Sequence, residues 1–246
     1  MRKTVLLIIP LILLLTMACS ITFTTPEIKD LRGSGNLVTE QREVSGFDRL
    51  EFGGVGTMTI RQGDVESLTI EADDNLIDHI TTRVIGNRLV IEMEKNFNVG
   101  GMTRIHYDLV VKDLSRLTLS GFGDITMDEL NTDSLTVLLS GSGNLTLADL
   151  QAESLDVTIT GFGNSEFAGE VKDLQVIIKG AGSFKGGDLR SQTARVEVSG
   201  FGNATVWAER DLDVEITGSG NVSYYGLPDV TQNISGFGRL ESLGNK

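Results

Sequence analysis

Few residues of this chain are of types that carry covalent or proton-transfer chemistry. Two histidines and one cysteine occur in 246 residues. His79 lies in DNLIDHI (74–80) and His106 beside Tyr107 in an alternating apolar segment, neither in an acyl-transfer or metal-ligand pattern. A structural role is expected for each, and no catalytic residue is assigned. Carboxylates gather at Asp124, Asp128 and Glu129, where calcium binding is the chemistry on offer. Calcium-binding nonapeptides repeat at a much shorter interval than anything here, so neither a metal nor a cofactor is expected. The G-x-G motifs invite a nucleotide reading. However, SGFGN (199–203) runs into a strand pattern, whereas a pyrophosphate needs a helix N-terminus to receive it. Outward repeat positions are mostly Thr, Ser, Asp and Glu, without the convergent Arg or Lys cluster expected of a polysaccharide-cleaving solenoid. The expectation is a protein that binds and does not turn over substrate.

Cys19 is the exception with a clear chemical role. The chain opens with Arg2 and Lys3 and an apolar run from Val5 to Met17, then Ala18 and Cys19. The run is too short to span a hydrocarbon core of about 30 Å and reads as a secretion signal over residues 1–18. A lone cysteine directly after a small residue looks like the lipobox of a bacterial lipoprotein, with Thr16 where leucine is usual. Cys19 is therefore expected to be lipidated, with residues 19–32 as a tether. The competing reading is an ordinary signal cut nearby, with Cys19 discarded or left free. Ser20, in place of aspartate, points to the outer membrane of a double-membraned cell, or to the outer face of the plasma membrane otherwise. Removing Arg2 and Lys3 leaves 19 basic against 34 acidic residues, a net charge of −15. Nucleic acid is thus disfavoured as a partner, since phosphate binding depends on cationic side chains.

Seven G-x-G motifs begin at Gly121, Gly141, Gly161, Gly180, Gly200, Gly218 and Gly236. A spacing of 18 to 20 residues marks a repeat whose units cannot bury their apolar faces alone. Alternating strands such as LDVTI (155–159) precede the motifs, with Leu155, Val157 and Ile159 expected on the core face. Short strands such as LTLADL (145–150) follow, then polar corners such as QAES (151–154). These lengths fit coils of a parallel β-helix stacked at about 4.8 Å. An antiparallel meander or sandwich, with each motif as a type II′ hairpin turn, is the alternative. In the helix reading Asn144, Asn164, Asn203 and Asn221 form a structural ladder along one corner, and the glycines supply positive φ and close backbone approach.

The central motif residue alternates as Phe122, Ser142, Phe162, Ala181, Phe201, Ser219 and Phe237. One reading is a two-coil packing device in which each ring covers the small residue beside it. The other is an exposed contact row of Phe122, Phe162, Phe201 and Phe237 for a glycan or protein partner. The first half (33–115) is less regular than 116–246. It holds a short helix starting near Asp73 or Asp74 and a surface loop over 94–104.

The strings GSGNLVTEQREVSGFDRLEFGGVGTMTIRQGD, LTIEADDNLIDHITTRV and GNRLVIEM, followed by repeated SGFGN and SGSGN, resemble the putative auto-transporter adhesin head GIN domain family (DUF2807) of bacterial envelope proteins. The resemblance spans about residues 33–246. It implies an all-β, right-handed parallel β-helix-like solenoid with coils of about 20 residues, exported and lipid-anchored at the envelope. It also implies adhesion, with a non-catalytic scaffold in membrane-stress signalling as the alternative suggested by the related toastrack domains. Exposed Phe or Trp207 stripes would favour adhesion, and packed Phe with a bland acidic face the scaffold.

Overall fold

The computed structural model describes residues 29–100 and 103–246. Cys19, the signal and most of the tether lie outside the described residues. The first part runs β1 (Lys29–Leu31), β2 (Leu37–Arg42), β3 (Arg49–Gly53), β4 (Val55–Gln62), β5 (Ser67–Asp73), helix α1 (Asp74–Ile77), β6 (Ile80–Ile85), β7 (Arg88–Met93), β8 (Phe97–Val99), β9 (Ile105–Val111) and β10 (Arg116–Leu119). Then come the long strands β11 (Phe122–Leu139), β12 (Leu145–Ile159), β13 (Ser165–Ile178), β14 (Phe184–Val198) and β15 (Ala204–Ile216), and the short β16 (Val222–Tyr225), β17 (Asp229–Ile234) and β18 (Leu240–Ser242).

From β10 onward every pairing is parallel, one coil on the next. Leu135 pairs with Leu155, Leu155 with Leu174 and Leu174 with Ala194, while Val137, Val157, Val176, Val196 and Val214 form the neighbouring column. All are buried, so period-2 alternation sends one face of every coil into a shared core. The antiparallel meander is excluded, because consecutive motifs bond directly: Phe162 N to Gly141 O at 3.0 Å, Phe201 N to Gly180 O at 2.9 Å.

Each regular coil is a single strand bent around the core and interrupted at the G-x-G corner. The segment QAES, expected to be a corner between strands, stays in the ladder: Gln151 pairs with Asn131 and Glu170, and Ala152 with Thr132 and Val171. Bending is absorbed instead by register shifts between Leu147 and Leu150 and between Glu166 and Ala168. Inside the core, buried Ser165 pairs with Phe184, whose ring stacks on Phe167 at 5.8 Å. A small residue in one coil leaves space for the ring of the next.

The stack extends into the less regular half, where β3 and β4 pair in parallel with β10 and β11. Parallel β7 and β9 lie below them, and antiparallel β6 and β5, with β2 beyond β5, close that end. Buried Asp73 ties this cap together by accepting from Gly35 N at 2.7 Å and Arg104 N at 3.1 Å. It occupies the N-cap position of α1, but its carboxylate makes no bond to the helix. Tyr107 is buried against Phe52, ring centroids 5.1 Å apart and edge-on. Burial pushes its phenol well above the usual range. Two expectations need correction here. The segment 94–104 is not wholly a loop, because β8 pairs with β1, and for the same reason the tether is structured at its end.

At the glycine corner one of the two expected roles, positive φ, is absent, and the other, close backbone approach, is present. No motif glycine from Gly121 to Gly238 has positive φ. What requires glycine is proximity: a Cβ on Gly141 would lie 2.1 Å from Gly121 O, on Gly163 2.0 Å from Gly143 O and on Gly202 1.8 Å from Gly182 O. Backbone meets backbone at every coil, leaving no space for a side chain. Replacing Gly163 by alanine is therefore expected to destabilise by about 1–3 kcal/mol or more, as overpacking of a rigid site does. Gly100→Ala, where a Cβ meets nothing within 4 Å, should be close to neutral. Urea unfolding midpoints of the two variants provide the measurement.

Candidate functional site

Since both glycines of each motif face inward, the residues flanking and separating them must face out. The corner therefore displays three parallel columns of exposed or half-exposed side chains. The first is hydroxyl-rich, running from Ser120 to Ser235 and broken by Lys179. The central column is the alternating Phe row. The third runs Asp124, Asn144, Asn164, Ser183, Asn203, Asn221 and Arg239, two residues beyond the central one.

Phe122, Phe162, Phe201 and Phe237 are 71%, 74%, 76% and 95% exposed. The packing reading is thus overturned. Coils only one strand spacing apart form a flat strip, and Ser or Ala in the intervening coil offers no wall for a ring to lie against. Four large apolar side chains thus stand in line on a water-facing strip.

The ladder links the third column from coil to coil. Asn144 donates its backbone N–H and its Nδ2 to Asp124 Oδ1 at 3.0 and 2.8 Å, and Asn164 does the same to Asn144 Oδ1 at 3.2 and 3.1 Å. Ser183 N then donates to Asn164 Oδ1 at 3.0 Å, and Asn203 N to Ser183 Oγ at 3.4 Å. Asn221 donates twice to Asn203 Oδ1, at 2.9 and 3.1 Å, and Arg239 N once to Asn221 Oδ1 at 3.2 Å. A carboxylate suits the first rung because the Asp124 side chain only has to accept, whereas those of Asn144, Asn164 and Asn221 also donate. This commits Asp124 to the ladder. Among the described residues no group of three or more His, Cys, Asp or Glu is placed to hold a metal ion.

His79 sits away from the strip, whereas His106 continues the third column two coils below Asp124, since Thr57 pairs with both. His79 Nδ1 lies 3.0 Å from Glu94 Oε2, with the ring against Phe97, and His106 Nδ1 lies 2.9 Å from Thr57 Oγ1. Trp207 is half-buried on another face, near Tyr225, with the Lys246 ammonium 5.7 Å from its ring and 4.8 Å from that of Tyr225. It does not extend the Phe row. The grouping of Trp207 with Tyr225 and Lys246 was not expected from sequence, and neither was the hydroxyl column. The latter was signalled by the Ser or Thr that opens most copies of the motif. Elsewhere the outer faces carry exposed inter-coil ion pairs, such as Arg190 with Glu209 at 2.8 Å and with Glu170 at 3.5 Å. These carboxylates hold the Arg190 guanidinium above its usual range through a side-chain hydrogen bond and charge.

Comparisons with known proteins agree with this geometry. The model of the family described as "Putative auto-transporter adhesin, head GIN domain" matches residues 46–228. A crystal structure of a putative adhesin from Bacteroides fragilis is 25% identical, with a TM-score of 0.83, covering 87% of this chain and 100% of that one. A putative lipid binding protein from Parabacteroides distasonis shares the fold at 24% identity and a TM-score of 0.72, covering 87% of this chain and 100% of its own. A putative adhesin from the same species has a TM-score of 0.67 at 23% identity, over 87% of this chain and 100% of that one. No curated protein matches the chain.

The ladder's direction yields a prediction. Asn164→Asp removes a donor and sets a carboxylate against Asn144 Oδ1, so it should cost about 1 kcal/mol or more even on this exposed edge. Asp124→Asn, which keeps an acceptor at the first rung, should change stability by less than about 0.5 kcal/mol. Thermal unfolding of both variants checks the contrast.

Proposed function

The chain belongs to the auto-transporter adhesin head GIN domain family, and from that membership we propose that it is a non-catalytic adhesin of the cell envelope that binds through its Phe corner. Its partner is a surface glycan or protein, and a lipid on Cys19 holds the solenoid at the membrane. The observation that carries the reading is the exposure of all four Phe rings on one strip. Packed rings would have favoured the scaffold alternative, and their exposure favours adhesion instead.

Magnitudes set how such a strip works. Covering a Phe ring contributes about 1.5–3 kcal/mol, while association costs about 4–15 kcal/mol in lost freedom. Four rings on one head roughly offset that cost and leave modest affinity. Lipid-tethered heads arrayed on a membrane would engage one polymer or cell together, so that avidity makes up the difference.

Serine already occupies the central position in two coils, at Ser142 and Ser219. Phe162→Ser with Phe201→Ser should therefore leave unfolding temperature almost unchanged. Binding to envelope material, measured with labelled protein, should fall by about tenfold or more, the equivalent of about 1.4 kcal/mol. Unchanged binding would overturn the assignment of the Phe corner. Mass spectrometry should find acyl groups on Cys19, and a Cys19→Ala chain that stays in the membrane fraction would overturn the anchor.

A further inference from the structure

We propose that the Phe corner is self-complementary and that its partner is a second copy of this chain, docked strip to strip about a two-fold axis with the solenoids antiparallel. This rests on the reading of the corner as the binding surface and names what binds there.

The first argument is spacing. Rings two coils apart stand about 9.6 Å from one another, twice the strand spacing. A ring from a facing copy, inserted midway, lies about 4.8 Å from both neighbours, within the 4.5–7 Å range that aromatic pairs prefer. It would rest on Ser142, Ala181 or Ser219, where a larger side chain would block it. Alternation with small residues thus makes both the knob and the hole.

Symmetry then selects the orientation. The row reads the same in both directions, with Ala181 at its centre. A two-fold axis running along the row would set each Phe against its own copy. An axis across the row, passing between coils beside Ala181, sets every paired Phe against a small residue. Such an isologous contact closes on itself as a dimer.

Charge points the same way. The strip carries one carboxylate, Asp124, although the whole chain has a net charge of −13. With Lys179 and Arg239 beside it, the strip adds no net negative charge where two acidic copies would meet. Antiparallel docking keeps the amide column facing the amide column, and it brings Asp124 at one end within a coil of Arg239 at the other end of the partner's strip. Asn, Ser and Thr side chains both donate and accept, so like columns can bond. Lys179 is the one opposed group, because it lies beside the axis and approaches its own copy.

The test uses the full-length protein in membranes, with single cysteines introduced at Ala181, Ser142 and Ser219 and dimers read on gels after mild oxidation. The unsubstituted chain reports any background from Cys19. Ala181→Cys, next to the axis, should cross-link several-fold more than Ser142→Cys or Ser219→Cys, whose copies lie at least three coils apart. Adding Phe162→Ser and Phe201→Ser should cut the dimer yield about tenfold, and Lys179→Ser should raise it. Equal cross-linking at all three positions would mean parallel docking and overturn the proposal. Absence of dimer, or a yield insensitive to the Phe substitutions, would overturn it as well. If those same substitutions still abolish binding to envelope glycan or protein while no dimer forms, the binding-surface reading stands and self-docking falls. A Phe-dependent dimer without such binding leaves self-docking standing and removes the foreign glycan or protein as the partner.

Discussion

Everything in this molecule depends on how closely the coils approach at the glycine corner. An added Cβ at most motif glycines would come within about 2 Å of a carbonyl oxygen of the coil below. The chain there is in ordinary left-half Ramachandran space, so the demand on sequence is steric and not conformational. Two inward glycines per coil let the backbone turn at hydrogen-bonding distance from its predecessor. Once that contact repeats, the strands on either side fall into register, and columns of Leu, Val and Ile meet in the core.

The same constraint creates the surface. A residue between two inward glycines has nowhere to point but outward, and its neighbours one position beyond the motif must do likewise. Stacking then multiplies each outward residue into a column. Hydroxyls, rings and amides so acquire a spacing set by the sheet, and the alternation of Phe with Ser or Ala is a pattern written on that lattice. The amide column adds coil-to-coil bonds at an exposed edge, where each is worth about 1 kcal/mol or less. The core supplies most of the stability, and the ladder holds the strip in register.

Its two ends are treated differently. At one end, antiparallel strands, a single helical turn and the buried Asp73 carboxylate close the stack. At the other, Val230 and Ile234 of β17 are each 39% exposed at positions whose counterparts in β15, Leu212 and Ile216, are buried. The long faces between carry exposed inter-coil ion pairs of small individual value. The aromatic strip is therefore the apolar feature that runs the length of the regular coils.

Sequence alone determined the repeat, because an interval of 18 to 20 residues and period-2 alternation are one-dimensional signals. It likewise located the Asn ladder and the Phe row, since equal spacing along a chain becomes vertical alignment once coils stack. The short helix at DNLI was legible from its acidic start. Only tertiary structure decided whether the rings are covered: that depends on the depth of the neighbouring coil's surface, which no single repeat contains. Of the two roles expected for the glycines, close approach holds and positive φ does not, a choice settled by a distance between backbones about 20 residues apart. The strand at β8 and the continuity of QAES with its neighbours were also invisible, since pairing with a distant strand overrides local polarity. Local sequence thus sets which side chains alternate, and the stacking of backbone on backbone decides what each of them faces.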